Sequence, residues 1–198
     1  MTESEINPLL ARLRARISRP SRATVIDSAV IVVAWVVGAV RILRYGLGFD
    51  NVTYATPAQQ VTLQAWRHLR LPLWSNTTFG GTPHMGNVQT AAMYPGNLLS
   101  APFPDLVGPN VELAFHLFLF GLGFYLLGRR LGFARPAPAV IAVAAMWSGA
   151  TMFRAPLLVH FPPLAWTPMA AVCMHAVVTS ARPRRAVAGP RACAEAWS

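Results

Sequence analysis

Four apolar segments, each bordered by arginines, constrain this chain more than anything else in it. A helix rises about 1.5 Å per residue and a bilayer core is about 30 Å thick, so about 20 mostly apolar residues make one crossing. The segments at about Thr24–Tyr45, Val111–Gly128, Pro138–Phe153 and Leu157–Ser180 come close to that length. Of the 198 residues, 54% are hydrophobic and only 12% charged, which puts the chain in the membrane-embedded class. The expected fold is an all-α polytopic membrane protein, with about four transmembrane helices and a long first external loop that contains an interfacial helix.

Arginine placement sets the expected orientation. The formal charge is +10 and every basic residue is Arg, a balance that would suit nucleic acid or anionic lipid. Five arginines (Arg12, Arg14, Arg16, Arg19, Arg22) precede the first segment, three (Arg129, Arg130, Arg135) follow the second, and four (Arg182, Arg184, Arg185, Arg191) follow the last. That alternation is the positive-inside pattern. It implies a multi-pass protein of the inner (plasma) membrane with its N-terminus in the cytoplasm. The same placement leaves no basic-aromatic patch outside the flanks, which argues against nucleic acid as a partner. The chain divides into a basic cytoplasmic segment (1–23), a transmembrane region (24–180) whose external loop spans 46–110, and a basic tail (181–198).

Within the spans, Asp27 lies near the cytoplasmic end of the first, where snorkelling or pairing with Arg22 would accommodate it. Small residues in the third suit tight helix packing. Pro162, Pro163 and Pro168 in the fourth predict a kinked or unwound outer half. Cys173 and Cys193 have neither metal-ligand nor disulfide-framework spacing. P-loop, GxGxxG and HExxH motifs are absent from the sequence, which disfavours soluble nucleotide chemistry and zinc proteolysis.

Function is to be sought in the external loop. Thr56–Leu69 has Pro57 at a helix start and Val61, Leu63, Ala65, Trp66 and Leu69 among polar residues, so it reads either as a helix lying in the membrane interface or as one packed on the bundle. Trp66 and Trp74 suit an interfacial aromatic belt. From Leu71 to Leu99 the chain is rich in turn formers, Gly80–Gly81 among them, interleaved with the hydrogen-bonding side chains Asn76, His84, Asn87, Gln89 and Tyr94. Composition does not distinguish a binding loop from a well-capped structural one.

The order Asp50, LPLWSNTTFGGTPHMGNVQTAAMYPGNLL, GFYLLGRRLGF, SGATMF and HFPPLAWTP resembles the N-terminal part of the YfhO-like bacterial membrane proteins, which belong or lie close to the GT-C class of polytopic glycosyltransferases. The resemblance spans about Gly48 to Ala170 in separated blocks. It implies transfer of a sugar from a polyprenyl-phosphate donor to an acceptor at the outer face of the membrane, in the cell envelope. It also makes Asp50 the candidate catalytic base or the anchor of a divalent cation, with an Asx-type turn as its plain structural alternative. Arg41 and Arg44 would meet the donor phosphate, or else snorkel to lipid headgroups. Trp74, His84, Asn87, Gln89, Tyr94 and His160 complete the expected substrate contacts, although a lone histidine is more often structural. Family members are longer and continue into further helices, so the polar tail from Ala181 reads as that of a truncated member. The alternative function is a non-catalytic membrane component that binds lipid or partner helices.

Overall fold

The computed structural model describes residues 22–45, 51–78 and 80–181. Asp50, the first 21 residues and most of the basic tail therefore lie outside the described residues. Within them the protein is helical, with one two-stranded ribbon.

Three continuous helices are long and apolar enough to cross a membrane: α1 (Arg22–Tyr45), α4 (Gly108–Arg130) and α7 (Phe161–Ala181, apolar to Thr179). Helix α4 is the axle of the bundle, since 61% of its most apolar stretch is buried, against 22% for α1 and 28% for α7. Its Leu113, Leu117 and Phe120 pack with Ile31, Met146, Phe161 and Ala165 in one core. Glycines let its neighbours approach closely. A Cβ on Gly123 would lie 2.8 Å from the Pro168 ring of α7, and one on Gly121 would lie 2.5 Å from the Met146 sulfur.

The third expected span is broken in two. Helix α5 (Ala137–Met146) ends at Trp147, and α6 (Gly149–Arg154) begins immediately after Ser148. Ser148 is extended (φ −61°, ψ 148°), and its Oγ accepts the Thr151 N–H at 3.2 Å, which makes it the N-cap of α6. The Thr151 hydroxyl in turn donates to the Ala145 carbonyl at 2.8 Å, adding a side-chain hydrogen bond to a carbonyl that the Ser148 N–H also approaches at 3.4 Å.

The broken segment still climbs alongside α1. Arg135, just before it, pairs with Asp27; Trp147 Nε1 donates to the Ala34 carbonyl at 3.3 Å; and the Arg41 guanidinium reaches the Met152 sulfur at 3.4 Å. From Asp27 to Arg41 α1 rises about 21 Å. Among the described residues the bundle thus has three continuous helices long and apolar enough to cross a membrane, with a pair of short ones packed beside α1.

Two further expectations are corrected. Asp27 pairs with Arg135 (3.5 Å), not Arg22, and also accepts from the Tyr125 hydroxyl. The expected unwinding of the last span is confined to Leu157–His160: the helix begins at Phe161, so Pro162 and Pro163 fall in its first turn, where no N–H is needed, and Pro168 lies inside it. The irregular stretch lies before it, at Pro156–His160.

The described part of the loop between α1 and α4 starts with a π-helical turn (Asn51–Ala55) that runs straight into α2 (Thr56–Arg67). A short ribbon follows, β1 (Trp74–Ser75) against β2 (Thr82–Pro83), with Trp74 opposite Pro83. Gly81 has φ +129°, and the Trp74 indole lies 2.9 Å from where its Cβ would stand, so any larger residue there is excluded twice over. A 3-10 turn (Val88–Thr90) and the single-turn helix α3 (Asn97–Ser100) lead into α4.

Candidate functional site

Helix α2 buries Thr56, Gln59, Thr62 and Leu63, a face at helical spacing that is polar in three of its four positions. Expected from the sequence was an apolar face turned either to the membrane interface or onto the bundle; of that set Leu63 points inward, at 2% exposure, while Leu69, beyond the helix end, is 96% exposed. A polar face turned inward needs partners, and α3 and α4 supply them.

Asn97 on α3 donates from Nδ2 to the Ala91 carbonyl (2.9 Å), which turns its Oδ1 toward Gln59. Gln59 Nε2 faces three acceptors: Asn97 Oδ1 at 3.0 Å, Ser100 Oγ at 3.2 Å and Glu112 Oε2 at 2.6 Å. Ser100 also donates to Glu112 Oε2 (2.9 Å). Gln59 and Glu112 are each only 1% exposed. Among the described residues no cation pairs with Glu112, and both of its hydrogen bonds fall on one oxygen.

One turn along α4, His116 is fully buried. Its Nδ1 must donate to the Glu112 carbonyl (2.7 Å), because a carbonyl only accepts. Nε2 is then free to accept from the Tyr94 hydroxyl, a contact the structure makes, while Trp166 Nε1 donates to the same Tyr94 oxygen at 2.8 Å. A relay of hydrogen bonds therefore runs from Trp166 on α7 through Tyr94 in the loop to His116 on α4. Burial holds the Tyr94 hydroxyl above its ordinary pKa, outweighing the opposite effect of the Trp166 hydrogen bond, so Tyr94 keeps the proton it donates.

These two networks wall a cavity of about 270 Å³ between the loop and the start of α7. Gln59, Asn97, Glu112 and Tyr94 form its polar side, with Gln89, Thr90 and Ala91 from the 3-10 turn; Ala55, Leu158, Val159, Pro162 and Pro163 form the apolar side. Its volume sits at the lower edge of the about 300–1,000 Å³ typical of small-molecule sites, room for a single ring.

Of the residues expected from the sequence, the cavity gathers Gln89 and Tyr94. Asn87 braces the loop instead: its Nδ2 donates to the Tyr54 hydroxyl (2.7 Å) and its Oδ1 caps the 3-10 turn. His84 is 3% exposed and bonded to Thr62 Oγ1 at 2.9 Å, a packed contact between the ribbon and α2. Burial holds its imidazole below the ordinary pKa. Trp74 lies on Gly81 at the surface, and His160 is exposed beside the wall residue Val159. Arg41 and Arg44 are exposed on the last turns of α1, and neither lines the cavity.

Sequence reasoning passed over Glu112, His116 and Gln59. The first two had a signal: Glu112 and His116 stand four apart in an otherwise apolar span, and an ionisable residue within a membrane helix is a functional candidate by default. Gln59 had none, because α2 read as turning its apolar face inward or to lipid. No group of three His, Cys, Asp or Glu side chains gathers among the described residues, so the divalent cation that the resemblance implies has no such donor set there. No family model, curated protein or solved structure matches the chain.

Proposed function

We propose that the chain acts in glycosyl transfer at a membrane surface, moving a sugar from a polyprenyl-phosphate donor to an acceptor at the outer face, with the cavity beside Glu112 holding the sugar ring. The observation that carries this reading is a buried carboxylate without a counter-ion, set in a ring-sized cavity where a polar loop meets apolar helices. An acceptor hydroxyl must lose a proton as it attacks the anomeric carbon, and a carboxylate in hydrogen-bond reach can take it. Gln59 and Ser100 orient that carboxylate through two hydrogen bonds, and the aromatic ring of Tyr94 offers a face for the sugar to pack on. The lipid part of the donor would lie along the exposed apolar flanks of α1 and α7, and its phosphate outside the cavity, where Arg41 and Arg44 are available. In this reading the N-terminus is cytoplasmic, the loop faces outward and the membrane is the plasma membrane. Asp50 remains a second candidate base.

The test is genetic and chemical. Deletion of the gene should remove a surface glycan, wild type should restore it, and Glu112→Gln should not. Full rescue by Glu112→Gln together with failure of Asp50→Asn would move the base to Asp50; full rescue by both variants would overturn the enzymatic reading.

One observation supports a second reading. Val25, Ile26, Val33 and Val37 on α1, and Met174 and Val177 on α7, are more than half exposed, which suits a non-catalytic component seated against lipid or partner helices. In that case glycan synthesis would depend on the chain being present but on neither carboxylate.

A further inference from the structure

The turn that ends α2 carries a leucine where the backbone favours glycine. The Leu69 N–H donates to the Trp66 carbonyl and the Arg70 N–H to the Ala65 carbonyl, each at 2.9 Å, the paired hydrogen bonds of a Schellman motif. The left-handed position of that motif is usually Gly, because a Cβ there is crowded. Here it is Leu69, with φ +53° and a side chain left in the open. A leucine held in a disfavoured backbone conformation, burying nothing against its own chain, points to contact outside the chain.

Two grooves of different character meet at the next residue. On one side Trp66, Leu69, Leu71, Met93, Pro95 and Leu98 line an apolar trough; on the other Gln64 and His68 stand among apolar neighbours, and Arg70 borders both. Leu71, Met93 and Leu98 are each more than half exposed. The Arg70 guanidinium has no hydrogen-bond or ion-pair partner among the described residues, and no Asp or Glu occurs from Asn51 to Pro104. The surroundings thus combine apolar surface with positive charge that the chain leaves uncompensated.

The place of the trough is fixed by its neighbours. Arg67 Nη2 donates to the Ala101 carbonyl at 3.3 Å, just past α3. Helix α3 lies against the start of α4, where a Cβ on Gly108 would stand 2.6 Å from the Ser100 carbonyl. The trough therefore opens at the end of a helix long and apolar enough to cross a membrane, the level at which Trp and Arg meet lipid headgroups.

We propose that this turn is a docking site for an anionic phospholipid of the leaflet it faces. An acyl chain lies along the trough, Leu69 and Leu71 insert beside it, and the headgroup phosphate pairs with Arg70. The end of α2, not its length, meets the membrane, since Leu63 on the helix itself is turned inward. A phospholipid supplies an apolar chain and an anion in one molecule, at the level where the trough opens. The site is separate from the cavity beside Glu112, and its existence does not depend on glycosyl transfer.

The test places the purified full chain in nanodiscs of phosphatidylcholine alone or of equimolar phosphatidylcholine and phosphatidylglycerol, and reads hydrogen exchange at the amides of Leu69, Arg70, Leu71 and Leu73. Exchange should be about fivefold slower with phosphatidylglycerol, the effect of one arginine at an anionic surface. Arg70→Gln should abolish the difference between the two lipids. Leu69→Gly should speed exchange in both while melting no lower than the wild type, because glycine relieves the backbone. Equal exchange of the wild type in the two lipids would overturn the proposal, and so would a lipid difference that survives Arg70→Gln. Inorganic phosphate added to the phosphatidylcholine discs should change nothing; protection by phosphate alone would make this an anion site and overturn the lipid. Protection that appears only with two chains per disc would give the trough to a second copy and overturn it likewise. The wild-type contrast needs no variant, so it holds even if a substituted chain folds poorly.

Discussion

The two ends of α4 each meet a buried carboxylate, and they treat it differently. At the Arg130 end, Asp27 of α1 is 5% exposed and held by Arg135 and Tyr125, while Arg129 donates to the Tyr125 hydroxyl. At the Gly108 end, Glu112 is 1% exposed and held by an amide and a hydroxyl, with a cavity in place of a counter-ion. A paired buried charge locks helices together; an unpaired one at a cavity is an expense that folding alone does not explain. Asp27 is accounted for by the ion pair that joins the helices, whereas Glu112 is the carboxylate on which the proposed ligand site rests.

The largest effect should come from Glu112→Gln. Removing a positioned general base lowers rates by about 10²–10⁴-fold, and the isosteric amide should leave the melting temperature of the unliganded protein unchanged or higher. Transfer assays and thermal unfolding on the same preparation separate the two. A large loss of stability with Glu112→Gln would make the two ends alike and break the contrast.

Asp27→Ala should do the reverse, lowering stability with no specific effect on transfer. Breaking a fully buried pair costs about 3–5 kcal/mol. The Arg135 side chain keeps 27% of its surface exposed, so about 2–3 kcal/mol is expected here, read from unfolding in mixed micelles. Replacing both partners, Asp27→Leu with Arg135→Met, should recover much of the loss. No recovery would show that the pair does more than hold helices.

How far the sequence disclosed this arrangement follows from what each signal encodes. Apolar length and flanking arginines gave the all-α membrane class and three continuous spans, because hydrophobic thickness is a one-dimensional property of the chain. The break in the third pass was hidden, since Trp147, Ser148 and Gly149 all sit comfortably in a small-residue span and only the Ser148–Thr151–Ala145 hydrogen bonds divide it. At the site, Tyr94 and Gln89 were legible as polar residues in a turn-rich loop. Which of the loop's polar residues face a cavity and which brace the loop depends on α2 turning Gln59 and Thr62 inward, a choice made by partners far away in sequence. Asn87 and His84 went to bracing for that reason. Glu112 is visible in the sequence as a charge in an apolar helix, four residues before His116.

Ser148→Ala tests the broken pass at a smaller scale. Loss of an N-cap costs about 1 kcal/mol, and the hydrogen bond that the Ser148 hydroxyl donates to Thr151 Oγ1 at 2.9 Å would be lost as well. The expected result is a modest drop in stability, with the change in hydrogen exchange concentrated at α6. Stability equal to wild type would mean that the break is fixed by helix packing and not by the cap.

The smallest effect concerns His84, whose closed contact with Thr62 resembles the Asp27 end of the molecule more than the Glu112 end. Burial lowers its pKa in the folded protein below the ordinary 6.5. The unfolded chain therefore takes up the proton first, and stability is complete above about pH 6.5 and falls as the pH drops below it. For one group titrating in this sense the loss between pH 7 and pH 6 is at most about 0.7 kcal/mol. His84→Gln should lower stability at pH 7.5 but flatten the dependence over that interval, as measured by melting curves at matched ionic strength. Rescue of the surface glycan should be unaffected, because His84 does not line the cavity. A His84→Gln protein that keeps the wild-type pH slope would transfer that slope to another buried group, with the Glu112 network the first place to look.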